Sequence, residues 1–258
     1  GRKVFDIYTA PMGLREELKH DLGEFPFAGF WGPAAGVETP QGSADCVTRW
    51  IAESAKWIEN KHSPTLSLVY LPHLDYNLQR LGQEAEAIGA DLKAIDRIVE
   101  DLVEFYEKRG VRVLLLSEYG ISEVRTAIHL NRQLRDAGWL VVKEEMGGEL
   151  LDAGASQAFA VADHQVAHVY LNNPAIAADV RALLEETPGV QFVYDHETQR
   201  ERGIRHDRAG DLIAVAKENA WFTYYYWQED DRAPDFAPTV DIHRKPGFDP
   251  AELFLDPA

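Results

Sequence analysis

The sequence predicts an α/β protein with a mainly parallel sheet, and its central stretch supports this class. A short apolar run at 66–71, bounded by prolines, is typical of a buried strand. Residues 91–109 carry apolar side chains at steps of three and four, which predicts a helix that ends at Gly110. A second apolar run follows at 111–116. Strand, helix and strand at this spacing form a βαβ unit, whose strands are parallel and joined by a right-handed crossover.

The remaining elements continue this alternation within a single predicted domain of 258 residues. Helical spacing of apolar residues predicts further helices at 44–60, 123–137 and 175–186. Further strands are predicted at 139–145, 157–162, 166–171, 190–194, 211–216 and 221–227. The last two are additional late strands, after which the tail 228–258 shows no helical periodicity.

The composition is that of an acidic globular protein. The net charge is −17, so we expect binding neither to nucleic acid polymers nor to an anionic membrane surface. The single cysteine, Cys46, excludes an intrachain disulfide and a zinc site built from cysteines. No apolar run approaches the ~20 residues of a membrane span, and the first residues lack a signal-peptide pattern. We therefore expect a soluble, cytoplasmic protein.

Acidic residues follow both strands of the predicted βαβ unit. Asp75 lies shortly after the run at 66–71, and Glu118 lies shortly after the run at 111–116. Open α/β sheets bind ligands at the carboxyl ends of their strands, and adjacent strands lie ~4.8 Å apart. The two acids could therefore share one metal ion or a pair of ions. The alternative is that each is an ordinary helix-capping or solvated loop acid.

Three histidines are further candidate ligands. Asp163, His164 and His168 form a D-H-x-x-x-H string, in which the two imidazoles would share a face if the segment were helical. The flanking strands argue against a helix there. His243 lies in a loop with acidic and basic neighbours before a Pro-Gly turn. Imidazole and carboxylate suit zinc, manganese or iron, but a lone histidine is more often a structural residue than a metal ligand.

With these motifs in this order, the sequence resembles the alkaline phosphatase superfamily, in its nucleotide pyrophosphatase/phosphodiesterase branch. That family binds one metal through the Asp and His of a P-D-x-x-G-H segment; here Asp75 matches the Asp, and Gln79 stands in the place of the His. A later S-D-H-G-M segment binds the second metal; here Glu118 replaces the Asp and Tyr119 replaces the His. His243, before Gly-Phe-Asp, is similar to a late histidine of the family.

The resemblance implies a three-layer α/β/α fold and a metal-dependent hydrolase of phosphate mono- or diesters. The cofactor would be one or two divalent ions of zinc, manganese or iron. The implied ligands are Asp75, Glu118 and His243, with Asp163, His164 and His168 as possible replacements for the missing imidazoles. Gln79 and Tyr119 would contact the substrate or ligate the metal weakly.

The resemblance also implies that part of the domain is missing. Family members carry an Asp and a Thr or Ser nucleophile on the first strand and helix of the fold, and nothing in residues 1–63 resembles that part. We expect the chain to be the C-terminal part of a longer protein and to be inactive or nearly so alone. Its partners would be a small phosphate-ester substrate and either the missing N-terminal segment or a second copy in a homo-oligomer.

Two other functions are compatible with the sequence. The substituted ligands and the absent nucleophile favour a non-catalytic binding or scaffold protein that kept the fold. The residues at 163–168 allow a metal-dependent isomerase or lyase as a weaker alternative. The sequence contains no G-x-S-x-G nucleophile elbow, no G-x-x-x-x-G-K phosphate loop and no G-x-G-x-x-G segment.

Overall fold

A computed structural model describes residues 7–26, 46–75, 77–78, 82–83, 86–145, 147–234 and 237. These residues form helices and sheets, which confirms the predicted α/β class. They fall into two compact units: unit 1 lies within Gly1–Ile121 and unit 2 within Ser122–His243. Among the residues that the structure describes, no helix has both the length and the apolar character needed to cross a membrane.

The described part of unit 1 contains the helices α1 (Gly13–Leu22), α2 (Cys46–His62) and α3 (Glu86–Glu107). α1 meets α2 where the Asp21 carboxylate accepts a hydrogen bond of 2.8 Å from the indole of Trp57. α2 meets α3 in a buried cluster formed by Ala52, Ile98, Leu102 and Tyr106. We call this the α2–α3 cluster. The helices predicted at 44–60 and 91–109 are confirmed, with α3 beginning five residues earlier.

The apolar runs at 66–71 and 111–116 lie on either side of α3 in the sequence, but the structure assigns no strand to them. The strand predictions for these runs are wrong for the described structure, because the runs make no ladder of backbone hydrogen bonds within it. Leu71 and Val113 pack against the α2–α3 cluster. Leu115 is 66% exposed, and the residues of the other parity are exposed as well, namely Leu66 (73%), Leu68 (88%), Tyr70 (61%), Leu114 (84%) and Leu116 (86%). We call these five residues the open apolar face.

The described part of unit 2 contains both parallel and antiparallel strand pairs. β1 (Thr126–Ile128) pairs in parallel with β8 (Ala220–Phe222). β2 (Val142–Glu145) and β3 (Gly148–Leu151) form a hairpin. A four-stranded antiparallel sheet follows the order β4 (Ala158–Asp163), β5 (Val166–Leu171), β7 (Leu212–Ala216) and β6 (Val190–Tyr194). The helices are α4 (Leu130–Asp136), α5 (Ala177–Glu186) and α6 (His196–Glu201).

Small side chains on one face of the four-stranded sheet allow the helices to pack closely against it. Ala158, Ala167 and Ala214 are fully buried, and they belong to the same cluster as Leu134 of α4 and Leu184 of α5. Asn131 of α4 completes the edge of this sheet: its side-chain amide donates to the carbonyl of Ala160 (2.8 Å) and its oxygen accepts from the amide of Ala160 (2.7 Å). A helical side chain thus takes the place of a neighbouring strand at β4.

Most predicted elements of unit 2 are confirmed, and the differences have identifiable causes. The hairpin at 157–171, the helix at 175–186 and the strand at 190–194 are present. The helix predicted at 123–137 is wrong in its first half, because residues 126–128 pair with β8 as a strand. The sequence predicts no helix between the strands at 190–194 and 211–216, but the structure has α6 there. Asp195 starts that helix by accepting a hydrogen bond of 2.9 Å from the amide of Thr198.

Substitution of Asp195 tests the start of α6. We expect Asp195→Ala to lower the free energy of unfolding by about 1 kcal/mol at pH 7, because it removes a helix cap. Hydrogen bonds from Thr198 lower the pKa of Asp195 from 3.8 to about 2. The carboxylate therefore contributes its full stability above pH 3.8, and this contribution is lost as the pH falls through about 2.

Urea unfolding followed by circular dichroism, from pH 7 down to the lowest pH at which the chain stays folded, measures this effect. Asp195→Asn is the matched control, since it keeps a capping oxygen and should lose less stability at pH 7. Equal losses from the two substitutions would contradict the capping role.

The open apolar face gives a second stability prediction. We expect Leu114→Lys and Leu116→Lys each to change the free energy of unfolding by less than about 0.5 kcal/mol, because both side chains are already in water. Both should reduce the binding of an apolar fluorescent dye. Leu102→Lys is the control, because it would bury an unpaired charge in the α2–α3 cluster and should unfold unit 1. A large loss of stability from Leu114→Lys would mean that this face is covered in solution.

Candidate functional site

The candidate site begins where the run at 66–71 ends. The chain turns there into a short helical segment, in which the amide of Asp75 donates to the carbonyl of Pro72 (3.2 Å) and the amide of Leu78 donates to that of Leu74 (3.2 Å). Pro72 ends the extended run because it cannot donate to a strand ladder. The turn leaves Asp75 partly buried, at the point where the apolar run gives way to polar residues.

Tyr119 lies next to Asp75 although 44 residues separate them. Its hydroxyl donates a hydrogen bond of 2.9 Å to Oδ1 of Asp75. The backbone of Tyr119 is held in turn by the hydroxyl of Ser117, which donates to the Tyr119 carbonyl at 2.9 Å. The ends of the two apolar runs therefore meet, and they bring together one carboxylate and one phenol.

The phenol of Tyr119 acts as a hydrogen-bond donor. Burial of its hydroxyl raises the pKa of Tyr119, and hydrogen bonds with Tyr70 and Asp75 raise the pKa further. Tyr119 therefore stays protonated at neutral pH, and its proton is directed toward the Asp75 carboxylate. A carboxylate that accepts a hydrogen bond in this way is fixed in orientation.

Of the candidate residues Glu118, Gln79 and His243, the structure describes only Glu118. Glu118 precedes Tyr119, and its side chain is exposed to solvent. Gln79 lies outside the described residues, and so does His243 of the C-terminal region. Their predicted roles as substrate contact and metal ligand remain predictions.

In unit 2 the D-H-x-x-x-H residues lie at different points of the β4–β5 hairpin. Asp163 ends β4, and His164 lies at the tip of the hairpin with a positive φ of 53°. His164 contacts the Asp163 carboxylate at 2.7 Å, and both side chains are well exposed. His168 lies within β5, where its Nδ1 accepts a hydrogen bond of 3.0 Å from the amide of Gly210. The segment is a hairpin, and the two imidazoles therefore do not share a helical face.

The described side chains include donor types that suit a divalent transition metal, but too few of them lie together to hold one. Carboxylate oxygen, as in Asp75, suits zinc, manganese or iron. Within the described ranges, however, no group of three or more His, Cys, Asp and Glu side chains is placed to hold a metal ion. Asp163, His164 and His168 are all described, so they do not form such a group. A complete ligand set needs residues beyond those described.

The sequence motifs missed a buried polar cluster beside Asp75. It consists of Thr48, His73, Asn77 and Asp91, whose exposures are 1%, 1%, 5% and 5%. We call it the His73 cluster. The Thr48 hydroxyl and His73 Nδ1 share a hydrogen bond of 2.9 Å, and the side-chain amide of Asn77 donates to Asp91 Oδ2. The available signal was a polar pair, His73 and Asn77, placed symmetrically two residues before and after Asp75.

Comparison with solved structures finds similar folds at low identity. One is the phosphonoacetate hydrolase of Sinorhizobium meliloti 1021, solved with phosphonoacetate, which is 15% identical in sequence with a TM-score of 0.46. The match covers 69% of this chain and 43% of the hydrolase. The murine ectonucleotide pyrophosphatase/phosphodiesterase 5 is 17% identical, with coverages of 68% and 44% and a TM-score of 0.45. The human protein is 20% identical, with the same coverages and TM-score.

The chain thus spans less than half the length of these solved proteins. No curated protein sequence matches it significantly. The match to a family model is much more extensive: the model described as type I phosphodiesterase / nucleotide pyrophosphatase covers residues 9–249. This match confirms the resemblance inferred from the strand-end motifs, and the chain belongs to the type I phosphodiesterase / nucleotide pyrophosphatase family.

Proposed function

We propose that this chain contributes the metal-binding part of a hydrolase that cleaves phosphate mono- or diesters. One observation carries the proposal: the two motifs that match the metal segments of the family meet in space, with Tyr119 donating to Asp75 at 2.9 Å. Leu71 of the first run and Val113 of the second both pack against the α2–α3 cluster, which brings the two runs near each other. Membership of the family gives the reaction class.

Asp75 is the proposed first metal ligand. Glu118 and His243 are the further proposed ligands, and Gln79 is a proposed substrate contact. Zinc, manganese or iron would suit this set of carboxylate and imidazole donors, as one ion or two. When bound, the ion would supply a Lewis acid that withdraws charge from the non-bridging phosphate oxygens.

The residues of the chain would prepare this site in the absence of any ion. Tyr119 holds Oδ1 of Asp75 and so fixes the plane in which the carboxylate can bind. The net charge of −17 gives an anionic substrate no general attraction. Recognition of a phosphate group therefore depends on a local positive centre, which favours a small substrate reaching one site over a long polyanion.

The nucleophile is the part of the proposal that another polypeptide segment would supply. The open apolar face has the composition of a central sheet, with large apolar residues and backbone groups that form no ladder within the described residues. Such a face favours contact with a further strand and its helix. We therefore expect this chain alone to be inactive or nearly so, and to bind metal through its own ligands.

A non-catalytic scaffold is the second candidate, and one observation favours it. The described residues bring together no group of three His, Cys, Asp or Glu side chains suited to a metal. Under this alternative, the Asp75–Tyr119 bond is only part of the packing between two loops. Metal content separates the two candidates, because a scaffold of this kind needs no stoichiometric ion.

Substitution of Asp75 tests the metal site. We expect purified wild-type chain, loaded with Zn²⁺ or Mn²⁺ and dialysed, to retain about one ion or two per chain by elemental analysis. Asp75→Ala should reduce the affinity by at least about 100-fold in isothermal titration, because it removes a charged ligand. Asp96→Ala, on the exposed face of α3, is the matched control and should bind like wild type. Wild-type chain that retains no metal would contradict the hydrolase proposal and support the scaffold.

Substitution of Tyr119 tests the orienting hydrogen bond. Tyr119→Phe keeps the ring and removes the hydroxyl, so we expect metal affinity to fall by about 10-fold with the fold intact. Tyr8→Phe is the control, since Tyr8 is 85% exposed. Titration calorimetry measures the affinity, and circular dichroism checks the fold. Unchanged affinity in Tyr119→Phe would show that this hydroxyl does not orient a ligand.

A further inference from the structure

We propose that His73 is a positioning residue, which clamps the Asp75 loop to α2 and α3 through the His73 cluster. The inference rests on the proposed function in one respect, namely that Asp75 is a metal ligand. The clamp itself is a statement about the loop, and it can be tested whether or not the chain binds metal.

The first half of the clamp joins the loop to α2. His73 lies two residues before Asp75, and its side chain is 1% exposed. Its Nδ1 shares a hydrogen bond of 2.9 Å with the hydroxyl of Thr48, which lies in the first turn of α2 and is also 1% exposed. A buried bond between two side chains 25 residues apart cannot be replaced by water without opening the packing.

The second half joins the loop to α3. Asn77 lies two residues after Asp75, and its side-chain amide donates to Asp91 Oδ2 at 2.5 Å. Nε2 of His73 lies 3.9 Å from the other oxygen of the same carboxylate, Oδ1. The residues on both sides of Asp75 therefore approach one buried carboxylate of α3.

The arrangement limits how the loop can move. The four polar groups of the His73 cluster are buried, so each needs its partner to avoid an unsatisfied buried atom. Displacing Asp75 along the chain would separate His73 from Thr48 or Asn77 from Asp91. On its other side, Asp75 is held by the hydroxyl of Tyr119 at 2.9 Å. The carboxylate is thus positioned from the interior by the clamp and from the surface by the phenol.

Such polar residues behind a ligand act as its supporting shell. Supporting partners of this kind change metal affinity by about 10- to 100-fold when they are removed, although they never touch the metal. We expect this effect from Thr48, which is separated from Asp75 by His73 and has no place in the proposed ligand set.

The test uses the whole chain and three variants at buried threonines. Thr48→Val keeps the shape of the side chain and removes its hydroxyl, while Thr48→Ser restores a hydroxyl. Thr187→Val is the matched control in unit 2: Thr187 is 6% exposed, and its hydroxyl bonds to the carbonyl of Leu183 at 2.7 Å. Two quantities are measured, namely hydrogen exchange in the peptide that spans Asp75 and Leu78, and the affinity for Zn²⁺ and Mn²⁺.

We expect Thr48→Val to speed exchange in this peptide several-fold and to weaken metal binding by about 10-fold. Thr48→Ser should restore both quantities, and Thr187→Val should leave both at wild-type values. If Thr48→Val does not fold, Asn77→Ala, which breaks the link to α3, should give the same local increase in exchange.

Unchanged exchange around Asp75 in the folded variant would overturn the inference. So would an equal increase in Thr187→Val, because the effect would then follow general stability. If wild-type chain binds no metal, the proposed function fails, and the exchange measurement alone decides whether the clamp exists.

Discussion

The packing of α3 on α2 is the constraint on which the candidate site depends. Ile98, Leu102 and Tyr106 of α3 meet Ala52 of α2 in one buried cluster. Leu71, at the end of the first apolar run, and Val113, in the middle of the second, pack on that same cluster. Because both runs are anchored at one place, the loops that follow them emerge together. The contact between Asp75 and Tyr119 is a consequence of this shared anchor, and it needs no direct pairing between the runs.

The same packing covers only Leu71 and Val113 of the two runs, and each only in part. The residues of the open apolar face are 61–88% exposed, and Leu115, of the same parity as Val113, is 66% exposed. An apolar sequence on both sides is the pattern of a strand buried between two layers. Unit 1 therefore has two runs with the sequence of buried strands, whereas most of their apolar side chains are exposed in the described residues. The proposed site lies at the rim of this open face, so a segment that covered the face would also approach Asp75.

The sequence predicted the elements whose signal is local. The stripe of α3, the hairpin at His164 and the helix before Gly189 each follow from periodicity or a turn within a few residues. The helix α6 was missed because its signal is one cap: Asp195 and Thr198 occupy a segment without an apolar stripe. The sequence around β1 predicts a helix, because the segment is a strand only through its pairing with β8, 94 residues later.

The candidate site also has a part that the sequence predicted and a part that it could not predict. The sequence order of the motifs predicted that Asp75 and the segment containing Tyr119 belong to one site, and the structure places them in contact. The role of the D-H-x-x-x-H residues could not be predicted, since it depends on whether the segment is helix or hairpin. The His73 cluster could not be predicted either. Its bonds join residues from two helices and a loop, and no spacing rule relates Thr48 to His73 or Asn77 to Asp91.

A tyrosine in the place of a histidine changes what that position can do. An imidazole offers a lone pair to a cation, whereas the protonated phenol of Tyr119 offers a proton to the neighbouring carboxylate. The residue therefore acts on Asp75, and it adds no negative charge to the site. The clamp proposed for His73 acts on the same loop from the opposite side. Together they give a carboxylate whose orientation is set by hydrogen bonds of the chain itself, so that little rearrangement would accompany ion binding.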